Sequence, residues 1–207
     1  MNFLKIISIL FIVGLCFKGT AQINFLSGTI YYKNGESQTG FINLKNEIAL
    51  RNECQFKTSK EAPTVKYDPT ELNGFKIGDE RAYVSKKIIV DNVVKNVFLE
   101  YLVDGVADLF FMKDDDKEYH FYIQNEGDSL LELTDAKQDI YRNDLYYMKE
   151  MKEYVITLEY VFIKSPEIVK ELKNIPFRYK NLVDVTKRYH DNVCDDYDCV
   201  VYNKKTK

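Results

Sequence analysis

VFLEYLVDGVADLFF, Val97 to Phe111, decides how the chain is read, because Glu100, Asp104 and Asp108 recur in it at four-residue spacing. On a helix these carboxylates would share one face and could hold a metal ion or divide acid and base roles. The local chemistry favours strand instead: Val, Phe and Tyr dominate, and Asp104-Gly105 reads as a two-residue hairpin turn. With that turn Val103 pairs with Val106, Tyr101 with Asp108 and Glu100 with Leu109. Paired residues point to one side, so Asp108 joins Leu99, Tyr101 and Phe110, whereas Glu100 joins Phe98, Leu102 and Phe111 on the other. No shared metal site or acid/base pair survives that separation. Both faces of the hairpin stay mostly apolar, which places it between two layers of sheet or helix. Glu100 is then the acid whose burial is costly without a hydrogen bond, and the one to inspect for a raised pKa.

Working outward, the strand pattern continues on both sides. Thr29–Lys33 and Gly40–Leu44 flank Asn34-Gly35, a two-residue hairpin signal whose members both accept positive φ. Ile48–Phe56 reads as a third strand, and residues 57–64, with Pro63, as a loop. In YDPTELNGF, Asp68 caps, Pro69 suits the first helical position, Glu71 stands three after the cap and Gly74 ends a single helical turn. That turn lies between strands at Val65–Tyr67 and Phe75–Ile77. Ala82–Val90 and Val93–Val103 are strands joined at Asp91-Asn92. Tyr119–Gln124 is another, after the acidic turn Asp114-Asp115-Asp116.

After Thr134 the apolar period moves from two toward 3.6, the sign of helix. Met151, Val155, Leu158 and Phe162 form a stripe within Met148–Ile163. Ser165-Pro166 opens a short helix through Lys173, and a third spans Arg178–Val193 with Leu182, Val185, Tyr189 and Val193 on one side. The expected fold is α+β: an antiparallel β-rich part, residues 22–134, with two or three C-terminal helices from residues 135–207 packed on it as one compact domain.

Met1–Ala21 reads as a secretory signal, with Lys5, an apolar run from Ile6 to Leu15, and small residues at Gly19 and Ala21. Cleavage is expected between Ala21 and Gln22. Even extended to Phe17, the run falls short of the roughly 20 residues that a spanning helix needs. Leu15 stands where lipoprotein processing at Cys16 wants a small residue. No later segment is long and apolar enough to span, so no transmembrane segment is expected in the mature chain. The formal charge of −3 becomes more negative once Lys5 and Lys18 leave with the signal, which argues against nucleic acid as a partner.

Cys54, Cys194 and Cys199 remain after cleavage, and in an exported protein they suit one disulfide and one leftover thiol, with three pairings open. Cys194 with Cys199 is the favoured pairing. It requires the preceding helix to end at Cys194, because a continuous helix would turn the two side chains apart.

The catalytic inventory is thin. His120 and His190 are the only histidines, and His120 lies in a strand pattern. His190, Cys194 and Cys199 superficially resemble a zinc set, but a fourth ligand and paired CxxC units are missing. Neither Asp114-Asp115-Asp116 nor Asp195-Asp196-Tyr197-Asp198 has the spacing of a calcium loop. GxGxxG, Walker and GxSxG motifs are absent from the sequence. No catalytic, cofactor-binding or metal residues are therefore expected. Tyrosine, at 16, and phenylalanine, at 13, suit a pleated, half-buried surface, and exposed tyrosines could stack on sugars or line an interface.

In order, GTIYYKNGESQTGFI, YDPTELNGF, VFLEYLVDGVADLFF, EYHFYIQNEGD and FRYKNLVDVTKRYHDNVC resemble a family of uncharacterised exported proteins of Bacteroidota. The likeness covers most of the mature chain, and its motifs are turns, strand cores and a helix stripe. It implies a shared body and no known activity. The functional expectation is an exported, non-enzymatic module that binds a protein, peptide or glycan of the cell envelope, in the periplasm or at the cell surface. The alternative is an envelope hydrolase working through carboxylates such as Glu100 or Asp108. A concave pocket with converging polar groups would favour the hydrolase, and an exposed aromatic or apolar patch the binding module.

Overall fold

The computed structural model describes residues 24–90, 92–135, 137–142, 145–196 and 198–202. The expected signal segment, with Cys16 and the expected cleavage between Ala21 and Gln22, lies outside the described residues.

Two antiparallel meanders share one strand. β1 (Phe25–Tyr32), β2 (Ser37–Asn43), β3 (Cys54–Lys57) and β4 (Val65–Tyr67) run outward on one side of β1. The chain then returns to the other side of β1 with β5 (Leu72–Ile77) and continues through β6 (Arg81–Val90), β7 (Val93–Asp104), β8 (Ala107–Lys113), β9 (Tyr119–Asn125) and β10 (Leu131–Leu133). A separate hairpin of β11 (Lys137–Arg142) and β12 (Leu145–Glu150) follows. Then come α2 (Glu153–Val161), α3 (Pro166–Glu171), a 3-10 turn at Leu172–Asn174 and α4 (Tyr179–Val193). The short β13 (Val200–Val201) pairs with the end of β7, and α1 (Glu47–Asn52) lies between β2 and β3. The fold is α+β.

Strand register aligns Ile30, Phe75, Tyr83, Glu100, Phe111, Phe121 and Leu133 in one row across the sheet. The β1 end of the row enters a core with Leu50 of α1, whereas its β10 end enters a second core with Leu158, Leu182 and Val185 of the helices. On the opposite face Leu99, Phe110 and Tyr122 form a third cluster, with the Lys86 ammonium 5.0 Å from the Phe110 ring centroid. Long side chains that lay their stems over apolar surface bury part of that face themselves.

The structure corrects several expectations. Ile48–Phe56 is not one strand: Asn46 caps α1, its side chain accepting the Ala49 N–H at 2.9 Å, and β3 begins only at Cys54. The Asn34-Gly35 loop has three residues, since Tyr32 N–H donates to Glu36 O and only Gly35 takes positive φ, at 88°. Gly74 lies inside β5, paired with Tyr31 and Val84, and does not end the turn. The capping at Asp68 stands, its N–H bonded to Glu71 at 2.9 Å. β11 and β12 pair with each other across 137–142 and 145–150, so helix begins at Glu153 rather than near Met148. Short strands lack the length over which a period can be told from helix. The stripe itself is buried at Val155, Leu158 and Phe162, while Met151 precedes the helix.

At Asp104-Gly105 the register differs as well. Glu100 pairs with Phe111 and Tyr101 with Phe110, and a bulge at Leu102 leads to Val103 opposite Leu109. The loop is therefore longer than two residues. The expected facing of Glu100 and Asp108 nevertheless holds, because the pairing of Glu100 and Tyr101 is displaced by two positions and an even displacement preserves sides, whereas beyond the bulge Val103 joins Leu109 on the Glu100 side.

Candidate functional site

Asp104–Asp108 closes the β7–β8 end of the sheet, and its backbone is fixed by groups from elsewhere. His190 of α4 accepts the Val106 N–H on Nδ1 at 3.0 Å, and Asp108 accepts the Gly105 N–H at 3.2 Å. A side chain on Gly105 would come within 2.7 Å of His190 Nδ1 and 3.1 Å of the Cys199 β-carbon, so glycine is required here by close approach. His190 is 1% exposed and acts as an acceptor for this loop.

The carboxylates of the opening stretch go to different places. Glu100, 3% exposed, is gripped by the Arg81 guanidinium, Nε to Oε1 at 2.9 Å and Nη2 to Oε2 at 3.1 Å. The hydrogen bonds that its burial requires thus come from a buried, bidentate ion pair. Glu47 of α1 lies 4.0 Å from the same guanidinium, and burial pushes the neighbouring Tyr83 phenol well up.

Asp108 lies on the opposite face and has a raised pKa. Burial pushes it up to about 6, opposed by the Gly105 N–H and reinforced by Asp104, which burial also raises. Both line a cleft of about 430 Å³ with Lys86, Gln124 and Glu126. Burial lowers the Lys86 pKa, and its ammonium donates to Gln124 Oε1 at 2.6 Å. The loop therefore brings a second acid beside Asp108, and Asp108 can hold or release a proton near neutrality.

Asp114-Asp115-Asp116 is not merely a solvated turn. Asp115 receives the buried Arg51 at 2.8 Å, and Asp114 stands 3.1 Å from His120 Nε2. His120 Nδ1 lies 2.8 Å from Glu132, and these two acids raise the histidine's pKa, Glu132 having the larger effect. Among the described residues no group of three or more His, Cys, Asp or Glu side chains converges as a metal ion requires.

Cys54, Cys194 and Cys199 are thiols in the structure. α4 ends at Cys194, as a Cys194–Cys199 bond requires, and both residues are half-buried. Cys54 is wholly buried, and its pKa is pushed up to about 12 by that burial.

The feature that the sequence reading missed lies on the outer side of α2. Ile156, Tyr160 and Ile163 are 67%, 62% and 71% exposed, and they follow each other at helical spacing. The same period that reveals the buried stripe was available for this one, but a helix normally carries a single apolar face. Tyr160 and Ile163 border a cleft of about 400 Å³ whose other side is the Asn125–Asp128 turn and Val106. Asn125 Nδ2 donates to Val161 O at 3.3 Å, while its Oδ1 is buried without a hydrogen-bond partner.

The chain matches no family model, no curated protein and no solved structure.

Proposed function

We propose that the chain is an exported, non-enzymatic binding module of the bacterial cell envelope, in the periplasm or at the cell surface, and that it belongs with the uncharacterised exported proteins of Bacteroidota it resembles. The observation that carries the binding reading is the Ile156–Tyr160–Ile163 stripe beside an open cleft. Leaving three large apolar side chains in water at helical spacing has no folding benefit, and contiguous exposed apolar surface marks interaction sites. No helix among the described residues is long and apolar enough to cross a membrane.

The hydrolase alternative keeps one observation in its favour, the raised Asp108 beside Asp104 in the second cleft. Its partner groups are otherwise committed: Lys86 to Gln124, and Asp108 itself to the Gly105 N–H.

Site-specific photo-crosslinking in cells tests the binding reading. A photoreactive residue at Ile163 is expected to give a discrete adduct, one at the exposed Lys180 of α4 none, and Ile156→Glu should remove the Ile163 adduct. Asp108→Asn should leave it unchanged. No adduct at Ile163, or equal labelling at both positions, would reject the reading.

A further inference from the structure

Large exposed apolar side chains concentrate in two separate places. One is the α2 stripe; the other is the far end of the β6–β7 hairpin, where Ile89, Val93 and Val94 are 68%, 56% and 60% exposed and Ile89 stands opposite Val94. Neither is covered by the described residues, and their electrostatic surroundings are opposite. Glu126 and Asp128 rim the α2 cleft against Lys164, and Glu159 stands between Ile156 and Tyr160 on the helix. The hairpin end, residues 87–96, holds the exposed Lys87 and Lys95 with Asp91 as its acid.

We infer that the hairpin end of one copy of this chain docks into the α2 cleft of another, a head-to-tail contact that rests on reading the α2 stripe as a docking face. Ile89 and Val94 present an apolar wedge to Tyr160 and Ile163. The floor is rigid, because Tyr189 is stacked on Phe162 at 4.3 Å between ring centroids, and both are at most 1% exposed. The acidic side is preformed too: Asp128 N–H donates to Asn125 O at 3.1 Å, Gln124 Nε2 to Asp128 O at 2.6 Å, and Gly127 supplies the φ of 80°. A site already ordered loses less entropy on occupation. Lys87 and Lys95 meet Glu126 and Asp128, and the buried Asn125 Oδ1 is an acceptor for an arriving N–H donor.

An anionic lipid surface is disfavoured as the occupant, since helices that lie on membranes carry basic rather than acidic residues beside their apolar face. The contact joins two different patches, so it propagates as a ring or an open chain instead of stopping at a symmetric pair. A contact made by a hairpin end belongs with the small, transient interfaces, so association is sought at protein concentrations of about 10 μM to 1 mM.

Sedimentation velocity of the purified mature chain across that concentration range, at low and high salt, tests the contact. Self-association that weakens with salt is expected, together with at least a tenfold loss in Ile89→Asp. Charge reversal supplies the control for folding. Glu126→Lys/Asp128→Lys should not self-associate, nor should Lys87→Glu/Lys95→Glu, yet an equimolar mixture of the two should associate because each contact is complementary again. A monomer at about 1 mM, or association indifferent to these changes, would overturn the inference. The docking-face reading fails separately: an Ile163 crosslink to a different protein, with the purified chain monomeric, would retain that reading and reject self-docking.

Discussion

Glu100 occupies a place where an acid is expensive, in an otherwise apolar cross-strand row between Tyr83 and Phe111. Its charge is tolerated because Arg81 meets both carboxylate oxygens, and Glu47 lies 4.0 Å from the same guanidinium. Removing one member of such a pair strands the other in a low-dielectric setting, whereas removing both can be nearly neutral. Glu100→Ala should therefore lower the unfolding free energy by about 3–5 kcal/mol, and Arg81→Met/Glu100→Leu should regain most of that loss. Urea denaturation of both variants checks this, and equal destabilisation in the two would show that packing rather than charge governs the position. The sequence made Glu100 worth inspecting because of its apolar neighbours. It could not identify Arg81, which is nineteen residues away and meets Glu100 only through the β6–β7 register.

The β8–β9 turn is tied to β10 by a chain of charges: Asp114 after β8, His120 in β9 and Glu132 in β10. The histidine's pKa is raised by both acids, so its contribution is fully present below its unfolded value of about 6.5 and is lost as pH rises through the raised folded value. Asp114 runs the other way. Its pKa is lowered chiefly by the bond to His120, so its contribution is present above the ordinary carboxylate value and lost as pH falls through the lowered one. The clasp should be strongest between about pH 4 and 6.5, and because its members are partly exposed it should be worth about 1 kcal/mol or less. His120→Asn should flatten the pH dependence of the melting temperature above pH 6, and a variant that kept the wild-type slope there would place the titration elsewhere. At this scale the sequence was legible unevenly. The parity of β7–β8 came through despite a misplaced loop, since strand sidedness depends only on odd or even spacing. α1 was lost because Ile48, Leu50, Cys54 and Phe56 read as strand, although Asn46 followed by Glu47 is the composition of a helix start. The outer face of α2 was hidden by the inner one.

Across the molecule, the C-terminal segment works as a strap. After α4 ends, the chain runs past Gly105 and lays β13 against Val103 and Asp104, and Tyr202 N–H bonds to Leu102 O at 3.1 Å. Cys194 and Cys199 stand at the two ends of the link between α4 and that strap. Export would give them an oxidant, to which two thiols can surrender two protons and two electrons, whereas a reducing compartment would leave both as thiols. Cys54 cannot join in without unfolding the first core, because it is wholly buried there. One preparation reads both proposals: protein recovered from a periplasmic extract, without reductant, should have an intact mass beginning at Gln22, and its peptide map should link Cys194 to Cys199 with Cys54 free. Retention of Met1–Ala21 would remove the case for export. A linked Cys54 in folded protein would contradict the burial on which the pairing argument stands. Free Cys194 and Cys199 in correctly processed protein would leave the strap held by β13 pairing and the contacts around Gly105 alone, and the Cys194–Cys199 bond would be rejected.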